Sequence, residues 1–201
     1  MFFVFHEIEN ASTLGAMLRP SDIFVALALC DRERGGPDGW TYPRVSDDLG
    51  LALSVIHGSV KRLGQARLWI AGAEVIDRQR LARFLVFGLP AMLPATLGED
   101  TRGVPTAWAA EPLASLFSRE SDLPPVWPDP RGLVRGRAVA PLHPSAPYAA
   151  ANSPELGRRL ALVDALRLGG GARIEQRAAT LLAAELRVLD GFTHEMLATS
   201  S

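Results

Sequence analysis

Between Tyr42 and Leu68 the chain reads YPRVSDDLGLALSVIHGSVKRLGQARL, and its polar side chains recur at spacings that suit contact with nucleic acid. Ser54, His57, Gly58, Lys61 and Gln65 stand at i, i+3, i+4, i+7 and i+11, on one side of a helix. Ile56, Val60 and Leu63 make the apolar side. A helix divided this way buries one stripe against its neighbours and leaves the other for a major groove. There, hydroxyl, imidazole, ammonium and amide groups bond to base edges or phosphates, and a glycine allows close approach. No acid occurs between Asp48 and Glu74, whereas Lys61, Arg62 and Arg67 all do. The local balance is therefore +3 in a chain of formal charge −1. Tyr42 and Arg44, at the start of the preceding helix, are placed to touch the phosphate backbone. The competing reading of the same residues is a helical hairpin with an ordinary solvated face.

Other chemistry finds little support. His6, His57, His143 and His194 are scattered without metal-ligand spacing. Cys30, the single cysteine, lies on the apolar side of a helix, so neither an internal disulfide nor a cysteine metal cluster is possible. The pairs Asp47–Asp48 and Glu99–Asp100 read as helix-face and loop charges. The run GGGAR at 169–173 lacks the strand and the Gly-Lys-Ser/Thr of a phosphate loop. The expectation is no catalytic residue, no metal, no cofactor and no enzyme.

The elements that must hold the polar stripe follow from periodicity and caps. RPSDIFVALALCD reads as a helix from about Ser21, its cap, to Asp31, and RERGGPDGW as a loop. Thr41 caps a second helix, Tyr42 to Leu49, with Pro43 in its first turn and Gly50 at its left-handed end. A third helix runs from about Leu53 to Gln65. Leu68–Ile70 and Glu74–Ile76 flank AGA as a β-hairpin. Asp77 caps a fourth helix that buries Leu81, Phe84, Leu85 and Leu89. From Pro94 to about Asn152 prolines recur, and the chain reads as irregular, with a short strand pair near Val134–Val139. Its aromatics, Trp108, Phe117, Trp127 and Tyr148, argue that it wraps the folded part rather than hanging free. Ser153 and Pro154 open a further helix, and an αα-hairpin is expected across Gly169–Gly171. The second arm of that hairpin carries Ile174, Ala178, Leu181, Leu182 and Leu186.

The chain has 201 residues, 48% of them hydrophobic, enough for one domain with a core or a small domain with a helical extension. The net charge offers no global attraction to nucleic acid or anionic membrane, so any such binding must be local. Its basic residues are 20 arginines and one lysine, Lys61. MFFVFHEIENASTLGAM has no basic leader and too short an apolar run for a signal or a membrane span. The division expected is an N-terminal extension over 1–17, a winged helix-turn-helix over 18–92, a Pro-rich irregular segment over 93–152 and a helical segment over 153–201. Residues 1–16 read equally as a loose extension or as an extra element packed on the domain. The fold class is mainly α with a small β-hairpin (α+β).

The run WTYPRVSDDLGLALSVIHGSVKRLGQARL resembles the winged helix-turn-helix of bacterial transcriptional regulators of the MarR-like type. It shares an aromatic start, a small residue at Ser46, glycine at the turn (Gly50) and an apolar residue mid-helix (Ile56). RFLVFGLPAMLPATLGEDTRGVPTAWAAEPL is similar to an uncharacterised group of such proteins, in which a TRG-PTA loop follows the winged helix. The matching residues are Thr101, Arg102, Gly103, Pro105, Thr106 and Ala107, and the likeness extends to VDALR at Val163–Arg167. Two departures stand out. Ala52 occupies the usual serine or threonine cap, which costs about 1 kcal/mol. Gly58 replaces a long polar residue, at roughly 1 kcal/mol against alanine.

The resemblance implies a cytoplasmic, sequence-specific DNA-binding transcriptional regulator, acting as a dimer on double-stranded DNA. The residues implied are Tyr42, Arg44, Ser54, His57, Gly58, Lys61, Arg62, Gln65 and Arg67. The alternative is a non-catalytic interaction module or accessory subunit, docking a protein encoded nearby through the Pro/Trp-rich segment and the C-terminal helices.

Overall fold

The computed structural model describes residues 17–30, 40–117 and 123–188. The expectation for residues 1–16, the end of the first helix at Asp31 and most of the first loop lie outside the described residues.

Helix α1 spans Pro20–Leu29. Ser21 does not cap it, as the sequence suggested. The cap position is Arg19, whose backbone N–H donates to Asp22 Oδ2 at 2.8 Å. Proline at the first helical position suits a start in which one N–H has no partner. Helix α2 (Tyr42–Leu49) is capped by Thr41, which accepts from the Arg44 N–H, and ends on Gly50 at φ 61°, the left-handed conformation glycine adopts without strain. Helix α3 covers Leu53–Gln65 and buries Ile56, Ser59, Val60 and Leu63. Ala52 stands at its cap with no side-chain bond. The turn is held instead by Ser46, whose hydroxyl donates to the Leu51 carbonyl. Strands β1 (Trp69–Ile70) and β2 (Val75–Ile76) pair antiparallel as the expected hairpin.

Asp77 caps helix α4 (Arg78–Arg83), accepting from the Arg80 N–H at 3.0 Å. A π-helical turn, Phe84–Gly88, carries it into helix α5 (Leu89–Met92). Leu81, Leu85 and Leu89 are buried, as the spacing demanded, whereas Phe84, expected with them, is only partly buried against the same core.

The Pro-rich segment is more ordered than its sequence suggests. Strands β3 (Asp100–Pro105), β4 (Pro125–Pro128) and β5 (Val134–Ala138) close on one another as a three-stranded ring. β3 runs antiparallel to both partners, and β4 parallel to β5. The strand pair expected near Val134–Val139 is instead the single strand β5, whose partners come from Asp100–Pro105 and Pro125–Pro128. A ring of three strands has almost no interior, and Val126, fully buried, fills what there is, so Gly103 and Gly136 have no room for a side chain. A methyl at Gly103 would overlap the Trp127 carbonyl, and one at Gly136 the Pro124 carbonyl. Gly136→Ala is therefore expected to lower stability by at least about 2 kcal/mol, the scale of overpacking, as read from a thermal melt. A melt unchanged from that of the parent would rule out the closed ring.

Helix α6 (Ala146–Asn152), helix α7 (Pro154–Leu168) and helix α8 (Ala172–Glu185) complete the chain. Ser153 caps α7 through the Leu156 N–H, and α7 and α8 pack as a hairpin across Gly169–Gly171. Helices α1 and α7 are buried nearly all round, from Asp22 to Leu29 and from Arg159 to Arg167. Such helices belong to an interior. They form one continuous core with Trp40, Ile56, Leu63, Leu85, Trp127 and Leu182. α7 is therefore the central helix of the fold rather than an external docking arm, and of the α7–α8 hairpin it is α8 that keeps an outward face. The architecture is mixed α/β, with two small sheets, and among the described residues no helix is long and apolar enough to cross a membrane.

Candidate nucleic-acid interface

Helix α3 presents Ser54, His57, Lys61 and Gln65 to solvent, on the side opposite Ile56, Val60 and Leu63. Arg44 on α2 and Arg67 in the turn after α3 are also exposed. Arg67 sits at φ 58°, in the left-handed region, so the chain turns sharply there into the hairpin. The stripe read from spacing is thus an open surface.

One feature of it was not legible from spacing. The Tyr42 ring stacks on His57, with centroids 3.8 Å apart and 18° between planes. Tyr42 in turn meets Trp40 edge-on at 5.1 Å, and Trp40 meets Trp69 of the hairpin at 5.6 Å. Trp40 is buried, so the ladder is anchored in the core. A ring held from both sides loses little rotamer freedom on binding. The aromatic residues at 40, 42 and 69 were the available signal, but their sequence separation hid their contact.

Arg62 has a different role from the one its position suggested. Its Nε donates to Asp22 Oδ2 at 2.8 Å and its Nη2 to Asp22 Oδ1 at 2.7 Å, a two-pronged pair across α3 and α1. Ser59 Oγ donates to the same Oδ1 at 2.7 Å. Asp22 is fully buried and Arg62 is 17% exposed. Burial by itself would raise the Asp22 carboxyl, but the bonds from Arg62, the Arg19 N–H and Ser59 outweigh it and hold the group below its ordinary value. The Arg62 guanidinium is thus engaged by Asp22 rather than presented with the exposed stripe. Gly58 changes meaning with it. A methyl at that position would stand 3.1 Å from Arg62 Nη1, so the glycine makes room for the folded-back arginine, and close approach to a groove need not explain it.

A second polar cluster ties the Pro-rich segment to the core. The carboxylate of Asp164 on α7 accepts from Trp127 Nε1 at 2.6 Å and from Thr106 Oγ1 at 2.9 Å on one oxygen. Arg167 Nη1 donates to the other at 2.7 Å. Arg167 also donates to the carbonyls of Leu93 and Ala140. Burial pushes the Asp164 carboxyl up from the ordinary carboxylate value, against the pull of Arg167, Trp127 and Thr106. The Thr106 of the TRG-PTA loop and the Asp164 and Arg167 of VDALR are thus two sides of one buried joint.

The α2–α3 turn also has a neighbour. A methyl at Gly50 would meet the Tyr148 ring at 3.4 Å, so α6 packs directly against the turn. Of the remaining histidines, His143 stacks on Phe24 at 5.8 Å and its pKa is lowered by burial. His6 and His194 lie outside the described residues. Among the described residues no group of three His, Cys, Asp or Glu is placed to hold a metal ion.

Comparison with known proteins adds no relative: no family model, no curated protein and no solved structure matches the chain.

Proposed function

We propose that the chain is a winged helix-turn-helix DNA-binding transcriptional regulator of the cytoplasm, with α3 as the recognition helix and β1–β2 as the wing. The observation that carries this reading is the solvent-open stripe Ser54, His57, Lys61 and Gln65 on a helix braced from behind by Asp22. In it, Lys61 and the flanking Arg44 and Arg67 meet phosphates, and His57, steadied by Tyr42, and Gln65 face base edges. With Arg62 committed internally, the stripe itself holds one cation, so one copy makes few phosphate contacts. Two copies on successive major grooves supply the remainder, which is why a homodimer belongs to the proposal.

The test is titration of a labelled duplex from the chain's own upstream region, by fluorescence anisotropy, from about 50 to about 200 mM salt. Affinity is expected to fall steeply over that range. Lys61→Ala is expected to weaken binding and reduce the log–log salt slope by about one per copy, with an unchanged melting temperature. A Lys61→Ala slope equal to that of the parent would remove α3 from the interface.

One observation favours a second reading. Leu53 on α3 and Ile70 on β1 are 43% and 46% exposed. Exposed apolar side chains on both elements suit a protein partner, and a parent chain that binds no duplex at low salt would favour it.

A further inference from the structure

The TRG segment singled out in the sequence has a counterpart, VRG at Val134–Gly136, and the register places the two side by side. Thr101 lies opposite Gly136, Arg102 opposite Arg135, and Gly103 opposite Val134. Directly opposed residues of an antiparallel pair share a face. Because the ring closes only with Gly103 and Gly136 inward, the arginine next to each is driven outward. Two arginines are therefore forced into a directly opposed pair, an arrangement that destabilises a sheet by like-charge repulsion. The next pair on the same face is Asp100 opposite Arg137. Asp100 is shared, 3.6 Å from Arg135 and 3.8 Å from Arg137. Among the described residues no hydrogen bond or ion pair reaches the exposed Arg102 guanidinium. Three arginines against one carboxylate leave the face at about +2 by formal charge, in a chain of net charge −1.

We infer that Arg102 and Arg135, on the outer face of the three-stranded ring, bind backbone phosphates of a nucleic acid. The cations of this face are arginines, whose planar forks take phosphate oxygens two at a time. A phosphate between opposed guanidinia turns their repulsion into attraction. The sugar–phosphate backbone supplies such groups in a row, and the outer face carries Arg102 opposite Arg135, with Arg137 next to Arg135 along β5. The site shares its partner with α3 but none of its residues.

The experiment uses the full chain with Arg102→Gln and Arg135→Gln together, titrated with the labelled duplex beside the parent and Lys61→Ala. Expected is a weaker affinity, a salt slope smaller by about two, and a melting temperature equal to or above the parent's, since the repelling pair is gone. A purely structural role for the pair would lower that temperature instead. Arg102→Lys with Arg135→Lys should restore most of the slope. Parent-like affinity and slope in the Gln variant would overturn the inference, whatever Lys61→Ala does. A loss confined to the Gln variant would support the ring face and remove α3. A parent that binds an acidic peptide but no duplex would overturn both.

Discussion

Asp22→Asn is expected to lower the melting temperature by roughly 6–12 °C, for a loss near 3 kcal/mol. The carboxylate receives four hydrogen bonds, from the Arg19 N–H, Ser59 Oγ, Arg62 Nε and Arg62 Nη2, with none of its surface in water. An amide of the same shape turns a donor toward donors and leaves the arginine without its counter-charge. Breaking one partner of a buried pair costs about 3–5 kcal/mol, and the slight exposure of Arg62 places this case at the lower end. The sign of the pH dependence follows from the depressed carboxyl. Its stabilisation is complete above the unfolded value of 3.8 and is lost as pH falls through the lower folded value. Melts across that acid range should therefore fall steeply for the parent and less steeply for the variant. Parallel acid limbs would show that Asp22 is not the group responsible.

Asp164→Ala is expected to cost more, about 4 kcal/mol, measured as a drop in the urea midpoint with unchanged slope. The substitution strands a buried indole N–H and a buried hydroxyl, each worth roughly 1–3 kcal/mol when left without an acceptor. It also removes the counter-charge of Arg167, which keeps only the Leu93 and Ala140 carbonyls. Asp164→Asn retains an acceptor for Trp127 and Thr106 and should recover part of the loss. Equal midpoints for the two variants would mean that charge alone, rather than the acceptor, holds the joint.

These two carboxylates mark the limit of what spacing reveals. Local signals worked at most helix ends, where the cause is local; Ser21, displaced from the cap position by Arg19, is the exception. Thr41, Gly50, Asp77 and Ser153 stop or start helices through bonds within a few residues, and each stands where its chemistry requires. The apolar stripe of α3 was legible because 3.6-residue periodicity is a property of the helix itself. The pairing of Arg62 was hidden because its partner is 40 residues away, on another helix. A guanidinium on a polar stripe looks the same in sequence whether it faces solvent or folds back through a gap left by glycine. The three-stranded ring was missed for a related reason. Its strands are short and proline-flanked, and they contain the glycines that normally weaken a strand. Only mutual closure makes Gly103 and Gly136 necessary. The stacking of Tyr42 on His57 likewise depends on how α2 crosses α3, which periodicity does not specify.

The division of labour between Lys61 and Arg62 can be measured in one experiment. Lys61→Ala and Arg62→Ala are compared for duplex affinity across salt and for melting temperature, at a temperature where both remain folded. Lys61→Ala is expected to lose affinity and salt slope while melting like the parent. Arg62→Ala is expected to melt lower by about 3 kcal/mol equivalent while keeping the parent's salt slope. The reverse pattern, with binding lost through Arg62 at unchanged stability, would contradict that division.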